Sequence, residues 1–158
     1  MSRLIKVILL TTVYAINSPI LSSQTGPGGV GNTDGSNGQP ENILWLDASN
    51  GVAYDGSNNV TLWNDISGNS NAAVPPVATN QPLYVANGGA IFNSQPVIRF
   101  ANGNNDYFRI EDNDRLDNTD ELTVVTVFMA NNFNGNQGLV SKRTDVNQDQ
   151  AYVFFTDN

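Results

Sequence analysis

From residue 43 onward the chain alternates short apolar runs with polar clusters rich in Asn, Gly, Asp and Ser. No segment carries an apolar period of about 3.6 residues over roughly ten positions, so long helices are not expected. The runs have strand length and strand composition instead, with Val, Ile, Phe, Tyr and Trp well represented. They predict strands over residues 43–46, 60–63, 83–85, 90–92, 97–100, 107–110, 122–129, 139–142 and 152–155, with a short apolar piece at 52–54. Residues 122–129 form the longest run and are apolar on both faces, broken only by Thr123 and Thr126. A strand of that kind is central or covered. Asn50-Gly51, Asp55-Gly56 and Asn102-Gly103 supply tight turns between runs. Short strands joined by short turns predict an antiparallel sandwich rather than a βαβ array.

The first 40 residues follow a different pattern. Arg3 and Lys6 precede an apolar stretch over residues 7–16, Pro19 breaks it, and Leu21-Ser22-Ser23 supplies small residues. Residues 1–23 therefore read as a secretion signal, too short for a comfortable transmembrane span. Residues 24–40 contain six glycines and no aromatic side chain, which predicts an unstructured linker. The Gly-rich run lacks the Lys-Ser/Thr ending, the preceding strand and the following helix of a phosphate cradle. The folded domain is expected over residues 41–158.

Composition sharpens the picture in three ways. Asn and Gly are abundant, favouring turns over helices. Seven basic residues face fifteen acidic ones, for a net charge of −8. Without Arg3 and Lys6 the balance is five against fifteen, or −10. Nucleic acid and anionic membranes are poor partners for such a chain, because phosphate contacts need clustered Lys and Arg. Cysteine and histidine are both absent. That removes thiolate metal sites, disulfides, Ser-His and Cys-His catalysis and the commonest general base.

The succession Leu44-Trp45-Leu46-Asp47, Val60-Thr61-Leu62-Trp63-Asn64-Asp65-Ile66-Ser67-Gly68-Asn69, Gln95-Pro96-Val97-Ile98-Arg99-Phe100 and Asn105-Asp106-Tyr107-Phe108 resembles the start of a laminin-G-like jelly roll. That family lies within the broad group of concanavalin-A-like lectins and glucanases. Gly26-Pro27-Gly28-Gly29-Val30-Gly31 is similar to the Gly-rich start of mature secreted proteins of Bacteroidetes-type bacteria. The resemblance covers about residues 41–145 and implies an all-β, antiparallel jelly-roll sandwich. Such a fold uses two sheets of about six or seven strands each. The candidate strands here are fewer, so the expectation is a jelly roll truncated at its C-terminal side.

Candidate chemistry is sparse. The three glutamates, Glu41, Glu111 and Glu121, do not form the alternating carboxylate pattern that glucanases place on one strand face. Ser141-Lys142 are adjacent, and neighbouring strand residues point to opposite faces, so a serine–lysine pair is disfavoured. No catalytic residue is expected. The acidic loop offers Asp112, Asp114, Asp117 and Asp120 as hard oxygen ligands, against the plainer reading of a solvated loop. Relatives carry Phe-Asp-Gly-x-x-Asp-Tyr where this chain has residues 100–107, and the resemblance implies a rim calcium site at Asp106. Asp106, Asp112 and Asp114 are the candidate Ca²⁺ ligands. Sugar sites pair an aromatic platform with amides or carboxylates. Of Trp45, Trp63, Tyr54, Tyr84 and Tyr107, the two tryptophans read as core, and Tyr107 with Asn105 is the best surface candidate. The resemblance then implies a non-catalytic binding or adhesion module, secreted or at the cell surface, for a glycan or a cell-surface protein. The second reading is the accessory front part of a larger exported polysaccharide-active enzyme, and the third is an orphan fragment.

Overall fold

The computed structural model describes residues 26–117, 121–132, 137–143 and 150–156. These are all-β with six single-turn 3-10 helices and no α-helix among them. Eight strands occur: β1 Val52–Tyr54, β2 Val60–Trp63, β3 Ala73–Val74, β4 Leu83–Val85, β5 Val97–Arg99, β6 Arg109–Ile110, β7 Gln137–Arg143 and β8 Gln150–Thr156. They form an antiparallel sheet in the order β1-β2-β3-β6 and two antiparallel pairs, β4-β5 and β7-β8.

The sheet follows from local chemistry. In the β1–β2 hairpin, Asp55 Oδ1 accepts from the backbone N–H of Ser57 and Asn59, at 2.8 and 2.9 Å. Asn58 takes a left-handed backbone, φ 65°, that Asn tolerates better than most residues. The strand that follows is Val-Thr-Leu-Trp, all but Leu62 being β-branched or aromatic. Its first residues also bond on the other edge. Val60 N–H donates to the Pro82 carbonyl and Tyr84 N–H to the Asn58 carbonyl, both at 2.8 Å. Residues 58–60 thus run between β1 and β4.

The core is small. Val60 and Ala73 have no exposed surface, Leu116 is buried, and the Pro82 ring is enclosed. Ala73 pairs with Trp63 on one side and Ile110 on the other, so a small residue separates two large ones in one row. Trp63 is half-buried, packs edge-on to Phe108 at 5.7 Å, and donates from Nε1 to the Asp47 carbonyl at 3.0 Å. Trp45 is half-buried as well.

Three expectations are corrected. Residues 43–46 form no strand: Trp45 N–H is taken by the Asp65 side chain and the Ile43 carbonyl by the Asn71 side chain. Ala90–Phe92 is a 3-10 turn rather than a strand. Residues 122–129 pair with no strand among the described residues, and Val125 and Val127 are 84% and 85% exposed. A strand apolar on both faces needs cover on both, and no described element supplies it.

The segment expected as a linker is described from residue 26 onward. Residues 26–40 are folded into turns, Pro27–Gly29 and Ser36–Gly38. Asn32 bridges Glu41, and Thr33 Oγ1 donates to the Ser67 carbonyl at 2.6 Å. Glycine here permits close approach. A Cβ on Gly31, at φ 71°, would lie 2.4 Å from the Pro40 carbonyl oxygen. The secretion signal expected over residues 1–23 lies outside the described residues.

Candidate functional site

Two rims carry the side chains singled out in the sequence. The first is the turn between β5 and β6. Asn102–Asn104 is a 3-10 turn, and Asp106 Oδ2 closes the loop by accepting from Ala101 N–H at 2.7 Å. Asn105 follows with φ 52°. Asn80, in the 3-10 turn before β4, clamps this loop from outside. Its Nδ2 donates to the carbonyls of Asn105 at 2.7 Å and Asn104 at 3.3 Å, and its own carbonyl accepts from Tyr107 N–H at 3.3 Å. Asn105 and Tyr107 are therefore held together, both exposed, Tyr107 by half of its surface. Phe108 is more enclosed than Tyr107 and meets the rings of Trp63 and Phe100 edge-on, each at 5.7 Å. Adjacent residues of an extended chain point to opposite sides, which leaves Tyr107 as the outward ring.

The second rim is the acidic loop. Asp112 Oδ1 lies 2.7 Å from Lys142 Nζ, and Asp117 makes a second ion pair with the same ammonium. The Lys142 side chain is largely enclosed, whereas Asp112 stays exposed. Burial alone would lower the Lys142 pKa, but the hydrogen bonds and charges of Asp112 and Asp117 outweigh it and raise the pKa. Hydrogen bonding to Lys142, with its charge, holds Asp112 below the usual carboxylate range. Lys142 is thus a fixed cation, not a base poised beside Ser141. Across β7–β8 its partner is Tyr152, whose hydroxyl is pushed up mainly by burial. Asp114 opens the turn Asp114–Leu116, in which Leu116 alone is buried and which Asn113 caps by accepting from Arg115 N–H at 3.1 Å.

The calcium expectation fits these residues poorly. Ca²⁺ takes about six to eight oxygen ligands. No group of three acidic side chains that could hold a metal occurs among the described residues. Asp106 spends one oxygen on Ala101 N–H, and its other oxygen is buried without a hydrogen-bond partner among the described residues. Asp112 and Asp114 do not join it in such a group, and the cation that Asp112 and Asp117 meet is Lys142. Asp120 lies outside the described residues.

Two features are absent from the sequence reading. One is a polar hub at residues 65–71. Asp65 accepts four hydrogen bonds: from the N–H of Trp45, Ser67 and Asn71, and from Ser67 Oγ, at 2.8 to 3.0 Å. Asn69 Nδ2 donates to the Asn42 carbonyl at 2.8 Å, and Asn113 Nδ2 donates to Asn71 Oδ1 at 2.7 Å. Arg115 donates to Asn69 Oδ1 at 3.0 Å and forms an ion pair with Glu41. The hub is structural: its polar atoms are turned on one another. Its local signal is Asp-x-Ser-Gly-Asn, where Asp65 reaches its own backbone two residues on. The other is a pair of tyrosines, Tyr54 and Tyr84, stacked with ring centroids 4.4 Å apart and planes 10° from parallel. Neither residue's local pattern marks it, because the two meet only across residues 58–60.

No family model, curated protein or solved structure matches the chain. Among the described residues no helix is long and apolar enough to cross a membrane.

Proposed function

We propose that the chain is a secreted or cell-surface, non-catalytic binding or adhesion module on a laminin-G-like jelly roll. Its ligand is a glycan presented on a cell surface. The observation that carries this reading is the Asn80-clamped turn, which fixes Tyr107 as an exposed ring beside the exposed amide of Asn105. A sugar ring stacks its C–H face on an aromatic platform while amides meet its hydroxyls. The acidic balance of the chain favours uncharged glycans over sulfated or phosphorylated ones. The test is a glycan array followed by calorimetry with and without Ca²⁺. Binding that Tyr107→Ala weakens about tenfold supports the proposal. A folded sample that binds nothing in either condition overturns it.

The accessory front part of a larger exported polysaccharide-active enzyme is a second reading. It is favoured by the exposed apolar side chains of residues 122–129, which suit a face packed on further polypeptide.

A further inference from the structure

We infer that Tyr54 and Tyr84 form a second, separate sugar platform, one that takes the apolar face of a neutral pyranoside. This rests on the glycan-binding reading above and adds a site to it. The pair is built by topology. Tyr54 ends β1 and Tyr84 is the middle residue of β4, and residues 58–60 hold these strands on either side. The rings close over that segment, 4.4 Å apart and 10° from parallel. Tyr54 is 48% exposed, so its outer face stays open to solvent while Tyr84 supports its inner face. A ring braced in this way loses little freedom on binding, which lowers the entropic cost of stacking a ligand on it.

The next residue along the chain after Tyr54 is Asp55, in the β1–β2 turn. Its carboxylate is exposed yet fixed, because Oδ1 accepts from Ser57 and Asn59 N–H and Oδ2 from the Asn59 amide at 3.0 Å. The same hydrogen bonds, led by Asn59, hold it below the usual carboxylate range, so it is ionised at neutral pH. An ionised carboxylate one residue from the Tyr54 ring repels a uronate, sulfate or phosphate. The cross-strand partner of Tyr84 is the apolar Ile98, while Arg99 pairs with Leu83 in the next position. Successive strand positions face opposite sides, so Arg99 does not share the face of Tyr84. An uncharged sugar therefore suits the platform and an anionic one does not.

The test titrates the full chain with cellohexaose, xylohexaose, mannohexaose and an oligogalacturonate hexamer. Binding is read by calorimetry and by NMR of the tyrosine ring protons. The expected result is that at least one neutral hexamer shifts the ring signals of Tyr54 and Tyr84 and the oligogalacturonate does not. Tyr54→Ala weakens that binding about tenfold, whereas Tyr54→Phe leaves it within about threefold, because stacking needs the ring and not the hydroxyl. The ring shifts are read on the unsubstituted chain, so the test holds even where Tyr54→Ala unfolds. Neutral-glycan binding that depends on Tyr107 and leaves the Tyr54 and Tyr84 signals unmoved overturns the second platform alone. No binding of any glycan, on the array or in these titrations, overturns both readings. Tighter binding of the oligogalacturonate than of every neutral hexamer also overturns the second platform.

Discussion

In residues 26–117 the carboxylate of Asp65 alone accepts four hydrogen bonds, and most of the long-range side-chain hydrogen bonds run to a distant backbone. Beyond Glu121 the described residues carry the opposite character. Residues 122–129 expose Leu122, Val125, Val127, Phe128 and Met129, and β8 exposes Val153, Phe154 and Phe155. The first region has a small apolar core and satisfies its irregular backbone with Asn, Asp, Ser and Thr. The second has the apolar content of a core and no cover for it among the described residues. Ion pairs from Asp112 and Asp117 to Lys142 join the two regions. The difference teaches that a turn-rich segment can be organised from within by short polar side chains. An apolar strand cannot, since its stabilisation requires another surface to bury against.

The comparison breaks first if the polar hub is not what holds the first region. Asp65→Ala removes four accepted hydrogen bonds and leaves enclosed N–H groups without partners. The expected loss is about 4 kcal/mol of stability, read by urea denaturation. A variant that unfolds at the wild-type urea midpoint would show the core sufficient by itself. The next effect is smaller and lies at the join. Lys142→Ala leaves β7–β8 without its tie to the acidic loop, and amide hydrogen exchange in β7 is expected to speed up about fivefold, with the hub unaffected. The pH dependence carries a definite sign. The pKa of Asp112 is depressed in the folded chain, so its contribution is present above the usual carboxylate pKa of about 4 and fades as pH falls through the lower folded value. The pKa of Lys142 is raised, so its contribution is complete below about pH 10 and fades as pH rises through the folded value. Exchange in β7 that is flat across both limits would remove the ion pairs from the account. The smallest effect on stability belongs to Val125→Lys with Val127→Lys. With both sites exposed, the change is expected within about 0.5 kcal/mol, while binding of an apolar dye and aggregation fall. A loss comparable to that of Asp65→Ala would mean that these side chains are covered in solution.

Several strands were legible because their signals are local. β1, β2, β4 and β5 sit where an apolar run ends in an Asn, Asp, Gly or Pro cluster, and Asp55 and Asn58 make the β1–β2 turn from their own side chains. Asn105 and Tyr107 were legible as an exposed pair, but their clamp, Asn80, was not. The two-residue β3 left no trace in the pattern, because Ala73 becomes strand only through Trp63 on one side and Ile110 on the other. Residues 43–46 misled in the opposite sense: their apolar run has strand composition, yet side chains of Asp65 and Asn71 occupy the backbone groups that a neighbouring strand would pair.

What the sequence determined by itself was the all-β character, the acidic balance, the lack of His and Cys chemistry, and the positions of tight turns. Each depends on residues within a few positions of one another or on composition alone. The tertiary structure decided which carboxylates became structural, which ring stayed outward, and which cation met the acidic loop. Asn71 with Asn113, Asn69 with Arg115 and Glu41 with Arg115 are separated by 42, 46 and 74 residues. The same Asp or Asn side chain serves equally as a turn cap, a backbone partner or a ligand. The choice among these is made by whichever donor the folded chain brings within about 3 Å, because hydrogen bonds are short-ranged and directional.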